Sequence, residues 1–96
     1  QWERIVKIDD DIYAFRLYTT DVVIIHRDGT MFINTGGWIS NTTTRFIREH
    51  VPTVYASRSY NHLWVTLGGK RYYPVPRTGL QFKDGELATD LKVYKP

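Results

Sequence analysis

Three dipeptides constrain this chain more than any other feature: Asp28–Gly29, Gly68–Gly69 and Asp84–Gly85. Each lies between strand-like runs, and each suits a tight hairpin turn, where glycine and aspartate tolerate the backbone conformation other residues resist. A turn that short joins antiparallel neighbours only, since a parallel pair needs a long crossover. The runs between the turns read as strands. "QWERIVKI" alternates Trp2, Arg4, Val6 and Ile8 against Glu3, Ile5 and Lys7, and Asp9–Asp11 makes a turn. "IYAFRLYTTDVVIIH" is one long strand or two meeting at Thr19–Asp21, with Tyr13, Phe15 and Leu17 on one face and Ala14, Arg16 and Tyr18 on the other. "MFIN" returns across Asp28–Gly29 as the partner strand.

One segment breaks the strand pattern. From Asn41 to His50 the apolar spacing is helical, with Phe46, Ile47, His50 and Val51 on one face and Arg45, Arg48 and Glu49 on the other. Ser40, Asn41 or Thr42 supplies the cap, and Pro52 stops the helix. So short a helix needs Phe46 and Ile47 packed on a sheet to hold it. Strands resume with "TVYASR", then "HLWVTL" and "KRYYPV" around Gly68–Gly69. A two-residue turn there sets Leu67 opposite Lys70, Val65 opposite Tyr72, and Trp64 opposite Tyr73. Pro74 and Pro76 mark an edge or a strand end. "FKDGELA" holds the last turn, and "LKVYKP" is a short strand or a tail. The expected fold is a single α+β domain over residues 1–96: an antiparallel β-sheet in the order β-β-β-α-β-β-β, with one short helix packed on one face.

Composition narrows the function classes. The 96 residues contain no cysteine, so disulfides and cysteine-based zinc sites are excluded. No apolar run approaches the ~18 residues of a membrane-spanning helix. The opening residues show no signal-peptide pattern; Gln1 rather than Met stands first, which leaves a longer parent chain open. Net charge is +3, carried by eight Arg and five Lys, and it favours anionic partners without amounting to a nucleic-acid signature. Aromatic residues make up 15%, enough to fill a small core and still leave rings for contact.

The corner "NTGGWISNTTTRFIREH" (34–50) admits two readings. In one, Gly36–Gly37 make a bend, Trp38 plugs the core edge, and the Ser-Asn-Thr run caps the helix. In the other, the threonines, the free amides and Arg45 and Arg48 one turn on hold a phosphate. Caps are far commoner, and the glycine spacing and lysine of a P-loop are missing.

The order "TDVV", "DG", "NTGGW" and "TTTR", followed by a "WV" pair and an "F-x-D-G" turn, resembles a family of small proteins encoded by tailed phages and related elements. The matching residues are Leu17, Thr20, Asp21, Val22, Val23, Asp28, Gly29, Asn34 to Trp38, Thr43, Thr44 and Arg45, then Trp64, Val65, Phe82, Asp84 and Gly85. Tyr18 stands where the family has histidine. That family has no settled activity, so the resemblance implies a compact α+β fold and a phage origin, with action in the host cytoplasm or a place in the virion.

No nucleophile elbow, Ser-His-Asp set, dinucleotide fingerprint or H-E-x-x-H pattern occurs, so no catalytic residue, metal ligand or cofactor is assigned. The least unlikely enzymatic reading is a metal-dependent nuclease using His26, Asp28 or His62. Asp21 reads as a half-buried side chain accepting from backbone amides. The stronger candidate is the last hairpin, where His62, Trp64, Thr66, Arg71 and Tyr73 share one face and Leu63, Val65, Leu67 and Tyr72 the other. If the aliphatic face is buried, the aromatic-basic face is exposed to stack bases and attract phosphates; if the helix covers Trp64, it is not. The expected function is non-enzymatic binding of nucleic acid through Arg45, Arg48, Arg58, Tyr60, Trp64, Arg71 and Tyr73. Alternatives are an inhibitor of a host or defence protein, and a virion or structural protein that buries its aromatic patch in a homo-oligomer.

Overall fold

The computed structural model describes residues 3–38, 40–51, 54–59, 62–67, 72–76 and 79–88, with the backbone alone at Leu67 and Tyr72. Four strands precede the helix: β1 (Glu3–Asp9), β2 (Ile12–Leu17), β3 (Thr20–His26) and β4 (Thr30–Ile33). The 12–26 run therefore divides in two at Tyr18–Thr19. Helix α1 (Asn41–His50) follows, then β5 (Val54–Ser59), β6 (His62–Leu67), β7 (Tyr72–Pro74), β8 (Leu80–Lys83) and β9 (Glu86–Leu87). The α+β class and the short helix are as the sequence predicts. The expected sheet, however, resolves into two antiparallel sheets, six strands in the order β1-β2-β3-β4-β8-β9 and three in the order β5-β6-β7. The helix and the small sheet are thus inserted between two neighbouring strands, β4 and β8.

The insertion covers one face of the large sheet. Cross-strand pairing aligns Phe15, Val23, Ile33 and Leu80 in one row and Ile25, Met31 and Phe82 in the next. These meet Phe46 and Ile47 from α1, with Val54, Ala56, Leu63 and Val65 from the small sheet, in the main core. Phe46 and Ile47 are fully buried, so the helix is held by packing, as its length requires. On the opposite face of the large sheet, Ala14, Ile24 and Phe32 form a smaller cluster, with Ile8 and Ile12 against it.

The helix start is capped by Ser40, whose Oγ accepts from the Thr43 amide at 3.2 Å, while the Thr44 hydroxyl donates to the Ser40 carbonyl at 2.9 Å. At the far end Val51 N–H still bonds Ile47 O at 2.9 Å.

The last hairpin pairs one residue away from the expected register. Thr66 lies opposite Tyr72, Val65 opposite Tyr73, and Trp64 opposite Pro74. A slip of one residue moves every side chain to the other face. Tyr73 and Val75 therefore point inward with Leu63 and Val65, and Val75 N–H donates to Leu63 O at 2.8 Å. Pro74, which has no N–H, falls between such bonded positions on an outer strand, where none is needed. "LKVYKP" (91–96) lies outside the described residues.

Thr66 is 3% exposed between its cross-strand neighbours Tyr55 and Tyr72, and its hydroxyl has no hydrogen-bond partner among the described residues. An unsatisfied buried hydroxyl costs stability, so Thr66→Val is expected to stabilise the fold by about 1 kcal/mol in chemical denaturation. A loss of stability in that variant would show that the hydroxyl is satisfied in solution.

Candidate functional site

The off-register hairpin redistributes the expected contact residues. Trp64 is half-buried on the outer face of the small sheet, opposite Ser57, with its indole N–H donating to Ser59 O at 3.2 Å. His62 is exposed two residues away, its ring edge-on to Trp64 at 6.3 Å. Tyr73 does not join them: it packs on the core, edge-on to Phe82 at 5.7 Å. Arg58 is exposed at the end of β5, but its register with Leu63 puts it on the inward parity. Tyr60 and Arg71 lie outside the described residues.

The sequence reading missed the ring that completes this face. Tyr55 is 51% exposed, and it pairs with Thr66, so it shares a face with Trp64. The inward Val54 and Ala56 on either side of it are the signal that finds it. Arg48 reaches it from the helix. Its guanidinium lies 4.4 Å from the Tyr55 ring centroid, donates to the Tyr55 hydroxyl at 3.0 Å, and donates through Nε to Ala56 O at 2.5 Å. Strand β5 is an outer strand of its sheet, so Arg48 satisfies a carbonyl on an open edge and blunts it. Arg45 turns elsewhere, toward Glu49 at 3.8 Å.

These commitments decide the phosphate reading of the corner. Neither Arg45 nor Arg48 faces the helix start, so no cation from the helix joins its amides there. The bend itself is built as a corner should be. Asn34 Oδ1 accepts from Gly36 N–H at 3.1 Å, Thr35 Oγ1 from Gly37 N–H at 3.2 Å, and Thr35 O from Trp38 N–H at 3.0 Å. Gly36 sits at φ +63, and a Cβ there would meet the Thr20 side chain at 2.9 Å. Trp38, however, does not plug the core edge; it is 69% exposed.

Trp38 instead stands at the mouth of a cavity of about 260 Å³ with Tyr18, which is 58% exposed. Leu17 and Val22 lie at its buried end, and threonine hydroxyls complete its wall. Two irregularities shape this cavity. Tyr18 adopts φ 56 in the β2–β3 turn, a left-handed conformation costly for a bulky residue. Val22 is the extra residue of a bulge, because Phe15 pairs with Val23 but Arg16 pairs with Asp21. Its carbonyl accepts from Asn34 N–H at 2.8 Å, which ties the bulge to the corner. Such bulges re-aim side chains, and neither has a sequence signature. Asp21 does not serve backbone amides as expected. It holds Arg16 through Nε–Oδ1 at 2.6 Å and a second bond at 3.2 Å, a two-pronged pair across the base of the Tyr18 turn. The hydrogen bond to Asp21 raises the Arg16 guanidinium pKa further above its ordinary value, against the opposing effect of burial.

At the nuclease candidates, Asp28 is held below the usual carboxylate range first by hydrogen bonding from Thr30, with Lys83 and His26 adding to it. Among the described residues no three His, Asp or Glu side chains gather as a metal site.

No protein-family model matches the chain, and comparison with curated proteins and with solved structures gives no significant match.

Proposed function

We propose that this chain is a small non-enzymatic binding module for single-stranded nucleic acid, which it takes on the outer face of the β5–β6–β7 sheet. The observation that carries the reading is the pairing of Arg48 with the exposed Tyr55 ring, on the same face of the small sheet as Trp64 and His62. A flat sheet face with several rings offers successive bases π surfaces without reading their edges, and each stacked base contributes ~1–3 kcal/mol. An arginine over a ring presents a planar guanidinium that stacks and attracts phosphate at once. Arg58 is exposed at the end of β5, though on the inward parity, so it would reach the face only around the strand end, and the net charge of +3 favours a polyanion. The resemblance of the TDVV and NTGGW segments to a phage family extends the proposal to a phage-encoded protein acting inside its host.

The test is fluorescence anisotropy of labelled single-stranded DNA and RNA at several salt concentrations. Two phosphate contacts predict a log–log salt slope of about −1.4, or about a sevenfold loss of affinity between 50 and 200 mM salt. Tyr55→Ala and Trp64→Ala are each expected to weaken binding about tenfold, matching the loss of one stacked base. No binding at low salt, or binding indifferent to salt, would overturn the reading. Nuclease-insensitive capture of a single host protein would then point to the inhibitor alternative.

A further inference from the structure

We infer that the cavity between the β2–β3 turn and the Gly36–Trp38 corner is a second binding site, which takes one uncharged planar ring, an unpaired nucleobase. The nucleic-acid reading above supplies only the source of that base; the cavity lies at the start of α1, whereas Arg48 and Tyr55 meet near its end. Size sets the first limit. About 260 Å³ lies just below the ~300 Å³ at which pockets for whole small molecules begin, so a single ring system fits and an extended cofactor does not.

Chemistry sets the second limit. None of the described residues lining the cavity is charged. The ion pair at the base of the adjoining β2–β3 turn, Arg16 and Asp21, is neutralised through two hydrogen bonds. An ionic ligand would lose its hydration there without a counter-charge, whereas a neutral one would not. The rings set the third. Among the described residues Trp38 and Tyr18 rank with the most exposed large hydrophobic side chains, and both border this one cavity. Aromatic side chains at its border, with apolar Leu17 and Val22 at its buried end, suit a flat apolar ring better than an extended polar ligand. Hydroxyls supply its edges. Those of Thr20 and Thr42 make no hydrogen bond among the described residues, and a hydroxyl both donates and accepts. Such a wall satisfies the edge of any base and discriminates weakly among them.

The experiment is a titration of the 96-residue chain with uncharged nucleosides (adenosine, cytidine, uridine and inosine), followed by amide chemical shifts. Weak binding is expected, with a Kd on the order of 1 mM for a single ring. The shifts are expected at Thr20, Thr35, Thr42 and Thr43, with similar affinities for all four nucleosides. Trp38→Ala is expected to weaken binding at least tenfold and Trp38→Phe to retain it; both keep the fold, because the side chain is largely exposed. Tyr18→Asn removes the second ring while suiting its left-handed backbone, and is expected to weaken binding similarly. A nucleoside response confined to Tyr55 and Ser57 would overturn the cavity site and leave the sheet face standing. A response to methyl glucoside and not to nucleosides would overturn it in favour of a sugar. Oligonucleotide binding that fails while nucleosides still move the cavity amides would remove the sheet reading alone.

Discussion

Gly79→Ala is expected to destabilise the protein by about 3 kcal/mol, the sum of two independent penalties. The first is conformational: Gly79 sits at φ +88, where a residue with a Cβ is strained by about 1–2 kcal/mol. The second is steric: the added Cβ would lie 2.5 Å from Phe32 Cζ and 2.9 Å from Ile33 O. Phe32 is buried in the smaller cluster and Ile33 is a backbone contact, so neither yields without displacing strand β4. Overpacking of this kind costs about 1–3 kcal/mol. Against a total stability on the order of 5–15 kcal/mol, the loss would be plain in a denaturant midpoint. Adding Phe32→Leu should recover part of it by relieving the ring clash. A Gly79→Ala variant within 0.5 kcal/mol of the parent, on the order of a neutral surface substitution, would mean that the turn into β8 does not approach Phe32 as described.

Asp21→Ala is expected to cost about 2 kcal/mol and to loosen the turn that carries Tyr18. The Asp21 and Arg16 side chains are 10% and 28% exposed, so removing the carboxylate strands a partly buried guanidinium. A stranded charge costs more than the pair itself contributes; Asp21→Asn removes the counter-charge as well, but its oxygen still accepts one bond, so it should lose somewhat less. A double-mutant cycle with Arg16→Ala should return a coupling of about 1–2 kcal/mol. Simple additivity of the two single losses would mean that the pair contributes nothing as a pair. The same variant should weaken nucleoside binding in the cavity, because the pair closes the base of the β2–β3 turn.

The helix and its orientation are legible in the sequence. Phe46, Ile47 and Val51 recur at helical spacing, Ser40 is a good cap, and a proline follows, all signals carried within a dozen residues. The candidate site is legible only in part. Trp64 is picked out by the alternation of rings and cations in the last hairpin and Arg48 by its place in the helix; the structure sets Arg48 on Tyr55, and Tyr73 turns away. A turn motif such as Gly68–Gly69 gives an expected loop length, and a difference of one residue inverts the face of every partner. The corner is the same case in reverse: its glycines and its cap read correctly, while the exposure of Trp38 depends on what Tyr18 and the Val22 bulge build beside it.

What the sequence by itself determines here is local: antiparallel strands, the one short helix and the face that helix buries. These follow from periodicity and from the chemistry of caps and turns, which act between residues close in the chain. Tertiary structure alone decides that the strands divide into two sheets, that Tyr73 packs inward on Phe82, and that Trp38 and Tyr18 meet at one cavity. Register and layering are chosen by which pairing buries the most apolar surface across the whole domain, and that balance is struck between residues far apart in the chain.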